Sequence, residues 1–245
     1  MFNIYQKLRL KNLFENQINI NIPIELGFEA QDIETIDRGL DLYYLKSKLS
    51  DIEVGIIHSP FDNLNIVTEN SRIREYSLKI IASAIEIKKI IDAKKIIFHT
   101  GIKNSTLITE KEYKNLLESI RIIISIAEKN SIIPLLENTY EKTDFFEKII
   151  KDTEISFCLD IGHINCFSKE SIDKWLSIMA KRIEHVHLHD NDGSGDQHAQ
   201  LGSGNIQFDK ILNFVINNNI DITLETDFND YEINKNFIGK FIKNK

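Results

Sequence analysis

The sequence predicts an α/β fold, a single (β/α)8 barrel over residues 1–245 with its chemistry at the C-terminal ends of the strands, and three observations lead to it. Short apolar runs alternate with longer helix-like patterns eight times from end to end, which implies a parallel sheet with right-handed crossovers. No Pro/Gly/Ser-rich linker, low-complexity tract or run of like charge divides the chain. At 245 residues, eight such units close most simply into one barrel, with an open doubly wound sheet as the alternative.

The apolar runs place strands at Phe2–Tyr5, Ile22–Leu26, Val54–Ile57, Lys95–Phe98, Ile132–Leu136, Ile155–Leu159, Ile183–Leu188 and Ile220–Leu224. Two long helices follow from apolar positions recurring every three or four residues, over Asn70–Ile91 and Thr109–Asn130, each opening on a residue suited to an N-cap. The first unit is the least defined: its strand is short, and the stretch after it, around Lys7–Gln17, has little helical periodicity. Trp175 falls in a helical pattern and reads as packing.

The histidines give this frame a function. The segment "HVHLHDNDGSGDQH", 185–198, holds four of the chain's seven, interleaved with three aspartates. His58 and His99 directly follow strands, His163 lies four residues past the strand ending at Leu159, and His187 sits at the end of "IEHVHL". Glu137, Asp160 and Glu225 directly follow strands in the same way, Asp160 on the strand that precedes His163, and Asp196 and His198 lie in the long loop after His187. A lone histidine at a strand end is more often a hydrogen-bonded structural residue than a ligand. Asp160 and His163 alone would pass for a capped turn. Metal-type residues at six of eight strand ends are harder to dismiss, because in a parallel barrel those ends gather round one mouth. Carboxylates buried together need positive charge. With no Lys or Arg expected at these strand ends, a divalent cation is the remaining supply, and mixed imidazole and carboxylate suits Zn, Mn, Co or Fe better than Ca.

Composition bounds the alternatives. A hydrophobic fraction of 42% suffices for a sizeable core, and a net charge of −7 argues against a broad phosphate-tracking surface. No apolar run is long enough for a membrane span, and "MFNIYQKLRLKN" has no signal-peptide pattern. Two cysteines make no disulfide framework, so a reducing cytoplasm is expected and a membrane partner is not. Cys158 reads as a buried filler and Cys166 as a loop residue.

With these residues in place, the chain resembles the xylose isomerase-like TIM-barrel superfamily, which includes endonuclease IV and the tagatose-epimerase type of sugar epimerase. The resemblance runs from about Ile22 to the end and rests on "HSPF" (58–61), "HTG" (99–101), "LLENT" (135–139), "CLDIGH" (158–163), "HVHLHD" (185–190), "DQHAQLGSGNI" (196–206) and "LET" (224–226). It implies that Glu137, Asp160, His187 and Glu225 are the metal ligands shared by both branches. His58, His99, His163, Asp196 and His198 then match the five that complete the three-zinc cluster of endonuclease IV. One to three divalent ions per chain, Zn or Mn, are thus expected.

Two reactions follow from the resemblance. In a sugar or sugar-phosphate isomerase or epimerase, Glu137 and Glu225 are the catalytic pair that removes and returns a proton. There His163 and His189 orient substrate, and Lys103 is a candidate phosphate contact whose plainer reading is a solvated loop lysine. In an endonuclease acting on abasic DNA, three metals clamp the phosphodiester, with Glu137 bridging two of them. Against the second stand Phe61 where that branch usually has Tyr, His189 where it usually has Asn, and no Arg/aromatic wedge in a Gly-rich loop. The expectation therefore leans to sugar chemistry. His185 is expected to be packed and hydrogen-bonded inside the barrel.

Overall fold

A computed structural model describes residues 2–15, 20–37, 42–103 and 108–243. Eight parallel strands close into a barrel in sequence order: β1 (Ile4–Arg9), β2 (Ile24–Gly27), β3 (Val54–His58), β4 (Lys95–Phe98), β5 (Ile133–Glu137), β6 (Ser156–Asp160), β7 (Ile183–Leu188) and β8 (Asp221–Leu224). Closure is made by β1 against β8, with Tyr5 opposite Thr223 and Gln6 opposite Leu224. The outer layer comprises α1 (Leu10–Glu15), α2 (Ala30–Asp37), α3 (Leu42–Leu49), α4 (Ser71–Glu86), α5 (Glu110–Lys129), α6 (Thr143–Asp152), the single turn α7 (Ile161–His163), α8 (Ile172–Met179), α9 (Asp209–Asn218) and α10 (Tyr231–Lys243). Among the described residues no helix is long and apolar enough to cross a membrane.

The two long helices begin where their caps dictate. The Asn70 side chain accepts from the Arg72 and Ile73 amides to open α4, and Thr109 and Glu112 form a reciprocal capping box at the start of α5. The inward stripe of α5, Leu116, Ile120, Ile123 and Ala127, is fully buried against the sheet. Trp175 is likewise fully buried, its ring 5.3 Å from that of Phe146. Cys166 does not lie in a loop: it is buried in a π-helical turn, Ile164–Ser168, that continues α7. The main core lies between strands and helices, where the outward residues Leu26, Ile57, Ile96, Leu136, Leu159, Val186 and Ile222 pack.

The barrel interior is layered, because side chains two apart on a strand share a face. The lower layer is apolar, a separate cluster of Tyr5, Ile56, Ile97, Leu135 and Cys158. Gly55 admits the Tyr5 ring, since a Cβ there would lie 2.4 Å from Tyr5 Cε1. Two residues further along, the same strands turn Lys7, His58, His99, Glu137 and Asp160 toward the same mouth.

The first unit departs from expectation. β1 runs to Arg9 rather than ending at Tyr5, and α1 starts at Leu10. Lys7 and Arg9 are thus strand residues, which overturns the premise that no Lys or Arg reaches the mouth. Pairing with β2 across Gln6–Ile24 to Arg9–Gly27 extends the strand where local periodicity gave no sign of it.

Candidate metal centre

The upper layer of the barrel brings the nine expected residues to one mouth. Glu137, at the tip of β5, lies at the middle. Its Oε2 is 3.1 Å from His58 Nε2 and 2.9 Å from His99 Nε2. Its Oε1 faces His187 Nδ1 at 3.3 Å and His163 Nδ1 at 3.5 Å. His187 Nδ1 also lies 2.9 Å from Glu225 Oε1 and 3.7 Å from Asp160 Oδ2. On the far side, Asp196 Oδ2 is 3.4 Å from His163 Nε2 and 3.1 Å from His198 Nε2.

Local structure explains how the loop residues reach this mouth. Asp190, fully buried just past β7, accepts backbone N–H groups from Asn191 and Ile206 on one oxygen and from Gly202 and Gly204 on the other. A backbone bridge between Asp190 and Ala199 closes the base of the loop. That folds 191–206 back over the barrel and carries Asp196 and His198 inward. His198 takes a left-handed backbone, φ 48°, and its Nδ1–H donates to the Glu225 carbonyl at 2.8 Å. Asn138 ties β5 to β6 by exchanging hydrogen bonds with the Asp160 backbone, and its own carbonyl accepts from His163 Nδ1.

The donor chemistry fits a divalent cation. His58, His163 and His198 each commit Nδ1 to a backbone carbonyl, of Ser59, Asn138 and Glu225 respectively. His187 commits Nε2 to Glu25 at 2.9 Å. In each case the other ring nitrogen is left facing carboxylate oxygens. A neutral imidazole presents a lone pair there, and lone pair against carboxylate is repulsive unless a proton or a metal stands between. Outer hydrogen bonds of this kind fix the tautomer of metal-bound histidines. Asp160 Oδ2, wholly buried, has no hydrogen-bond partner among the described residues.

Without a metal the cluster holds its charge in protons. Burial opposes ionisation of His163, but the carboxylates of Asp160, Asp196 and Glu137 outweigh it and raise the ring to about 10. His198 rises to about 9, burial again being outweighed, here by Asp196 and Glu225. Burial would push Glu137 up, yet the charges of His187 and His99 hold it well below the usual carboxylate range. Glu225 is held down against burial by Lys7 first and then by His187.

A family model for the xylose isomerase-like TIM barrel matches residues 24–236. The chain belongs to that family. Within the xylose isomerase-like barrels, it is 33% identical over 158 residues to an uncharacterized protein of Methanocaldococcus jannaschii, covering 62% of each chain. It is 26% identical over 168 residues to a probable endonuclease 4 of Mycobacterium tuberculosis, covering 64% of this chain and 66% of that one. The match to the archaeal relative thus spans about three-fifths of that protein's length. Among solved structures, a Thermus thermophilus protein soaked with ZnCl2 superposes with a TM-score of 0.83 at 21% identity, over 100% of this chain and 99% of that one. A D-tagatose 3-epimerase-like protein does so with 0.75 at 23%, over 99% and 97%. Both likenesses are of fold.

Beyond the nine, this xylose isomerase-like barrel places His189 and His185 inside and Lys103 at the rim. His189 is fully buried beside Asp160 and Asp196. His185 is buried with Nε2 on Thr223 Oγ1 at 2.8 Å, one layer below the mouth. Lys103 is exposed and lines the cleft. Two residues escaped the sequence reading. Lys7 makes a short ion pair with Glu225 and lies 3.7 Å from Glu25. Glu25, fully buried on β2, accepts from Thr223 Oγ1 at 2.7 Å as well as from His187. Its signal was a charged residue inside the apolar run "IPIELGF", where a buried strand normally carries none.

Proposed function

We propose that the chain is a metal-dependent sugar or sugar-phosphate isomerase or epimerase in which Glu137 and Glu225 are the proton-transferring pair. The observation that carries this reading is the confrontation of those two carboxylates across His187 Nδ1, at 3.3 and 2.9 Å, in a cleft of about 850 Å³. That volume suits a small molecule. Phe61, stacked on His99 at 4.8 Å, and Phe167, against Tyr140 at 4.2 Å, give the cleft two aromatic walls on which the apolar face of a sugar can rest.

Asp160, His187, Glu137 and Glu225 would hold the ion nearest the substrate, with His58 and His99 behind Glu137. A divalent ion bound there polarises a carbonyl and the adjacent hydroxyl, acidifying the C–H between them. Glu137 takes the proton from that carbon on one face, and Glu225 delivers a proton from the other. Lys7, paired to Glu225, favours its ionised form, which is the base of the reverse direction; in the forward direction Glu225 first takes up a proton from solvent and then gives it to the carbon. Asp196 and His198 fold over the mouth and limit water entry. Lys103 and Arg9, both lining the cleft, are placed to meet a phosphate or other anionic end of the substrate.

Hydrolysis of abasic DNA is the second reading, favoured by the completeness of the nine-residue set and by the 26% identity to a probable endonuclease 4. A paired experiment separates them. Metal-loaded protein is incubated with ketoses and ketose phosphates in deuterated water, and separately with abasic duplex DNA. The isomerase reading expects deuterium in the recovered sugar, lost in Glu137→Gln and in Glu225→Gln. Strand cleavage without any sugar exchange would replace it with the nuclease reading.

A further inference from the structure

His189 differs from the histidines that hold a hydrogen bond on the outer side of the ring. It is completely buried, two residues beyond His187 on the same inward face, and neither ring nitrogen finds a hydrogen-bond partner among the described residues. Its Nε2 nevertheless stands 3.3 Å from Asp160 Oδ1 and 3.3 Å from Asp196 Oδ1. Its ring stacks on that of His198 at 4.3 Å and 19° and meets His163 edge-on at 5.9 Å. Space for the ring has been made by the backbone: a Cβ at Gly162 would lie 1.8 Å from His189 Cε1 and 2.0 Å from Nε2. Any side chain at 162 would expel the imidazole from this corner.

A buried imidazole nitrogen aimed at two carboxylates, with no hydrogen bond made, lacks a cation. The spacing says which kind. Donors on a tetrahedral ion with bonds of roughly 2.0–2.1 Å stand about 3.3 Å apart. Around Asp196, His163 Nε2 and His198 Nε2 lie at 3.4 and 3.1 Å from Oδ2 and His189 Nε2 at 3.3 Å from Oδ1, and one donor atom each of His189, Asp196 and His198 falls within 4.8 Å of the others. We propose that His189 is a metal ligand, the fourth donor of a site formed with His163, Asp196 and His198. Three imidazoles and one carboxylate favour Zn or Co over Mg or Ca. Four protein donors close a tetrahedral site, so this ion would clamp the 191–206 loop to the barrel and leave substrate contact to the ion nearer Glu225. The inference rests on the reading of the mouth as a divalent-metal centre, but not on the reaction assigned to it.

The test is made on the full chain without substrate. Purified protein is saturated with Zn or with Co(II), freed of excess ion, and assayed for ions per chain, chelator-competition affinity and the visible Co(II) spectrum. His189→Gln is expected to lose one ion's tight binding by more than the roughly 10–100-fold that follows removal of an outer hydrogen-bond partner, and to lose the tetrahedral Co(II) band while the other ions stay. Gly162→Ala, which displaces the ring without removing it, should show the same loss. Unchanged stoichiometry in His189→Gln, with affinity lowered by no more than about 100-fold, would overturn the proposal. Should neither variant fold, X-ray absorption on the Zn-loaded wild-type protein decides: a four-coordinate ion with three imidazoles supports it, and fewer than three at every ion defeats it. Metal loss in His189→Gln beside absent deuterium exchange in the metal-loaded wild-type protein would sink the isomerase reading and leave this one intact.

Discussion

Glu25 shows how much of the mouth is decided by a residue that does not line it. Its Oε2 receives Nε2–H of His187 at 2.9 Å and the Thr223 hydroxyl at 2.7 Å, and that hydroxyl in turn accepts from His185 Nε2 at 2.8 Å. The chain of donors runs one way, from His185 through Thr223 to Glu25. It leaves His187 with its Nδ1 lone pair turned to Glu137, Glu225 and Asp160. Glu25→Gln removes the charge that raises the basicity of His187, so affinity for the ion beside Glu225 should fall about 10–100-fold. Competition titration with a chromophoric chelator reads this, with circular dichroism confirming that the barrel persists. Lys7 acts in the opposite sense, since its ammonium already pairs with Glu225 and competes with any metal for that carboxylate.

At the scale of elements, the long helices and the loop after β7 differ in how they are specified. α5 is locally determined: Thr109 Oγ1 accepts the Glu112 amide at 3.1 Å, Glu112 returns the bond to the Thr109 amide at 2.8 Å, and a regular apolar stripe follows. Thr109→Ala should cost about 0.5–2 kcal/mol, read as a lower unfolding midpoint, with metal content unchanged because the cap lies on the outer ring. The 191–206 loop has no such local code. It is held by four amides converging on the Asp190 carboxylate. The strand ends were legible because short apolar runs mark the strands and a titratable residue closes six of them. β1 was not, because its extension to Arg9 depends on pairing with β2 rather than on its own pattern. Reading Tyr5 as inward would have put Lys7 inward as well, two residues along.

For the whole molecule, the stability of the metal-free protein is tied to pH through the mouth. His163 and His198 are raised to about 10 and about 9, against an ordinary imidazole value of about 6.5. Groups raised in the folded state stabilise it fully below about pH 6.5, and that contribution is lost as pH climbs through 9 to 10. Thermal unfolding of the stripped protein should therefore weaken across that window. The metal-loaded protein should not, since metal-bound imidazoles have already given up those protons. A parallel loss of stability in both forms would mean that these rings are not where the metal binds. What the sequence determined by itself was the barrel and the gathering of His58, His99, Glu137, Asp160, His187 and Glu225 at one mouth, because eight apolar runs separated by helical patterns imply parallel strands, whose C-terminal ends share one side. Only the tertiary structure decided that Lys7 pairs with Glu225, that Glu25 orients His187 and that His189 turns toward Asp196. The first two contacts join residues 218 and 162 apart, a proximity that exists only after the barrel has closed, and the third depends on the loop after β7 folding back on Asp190.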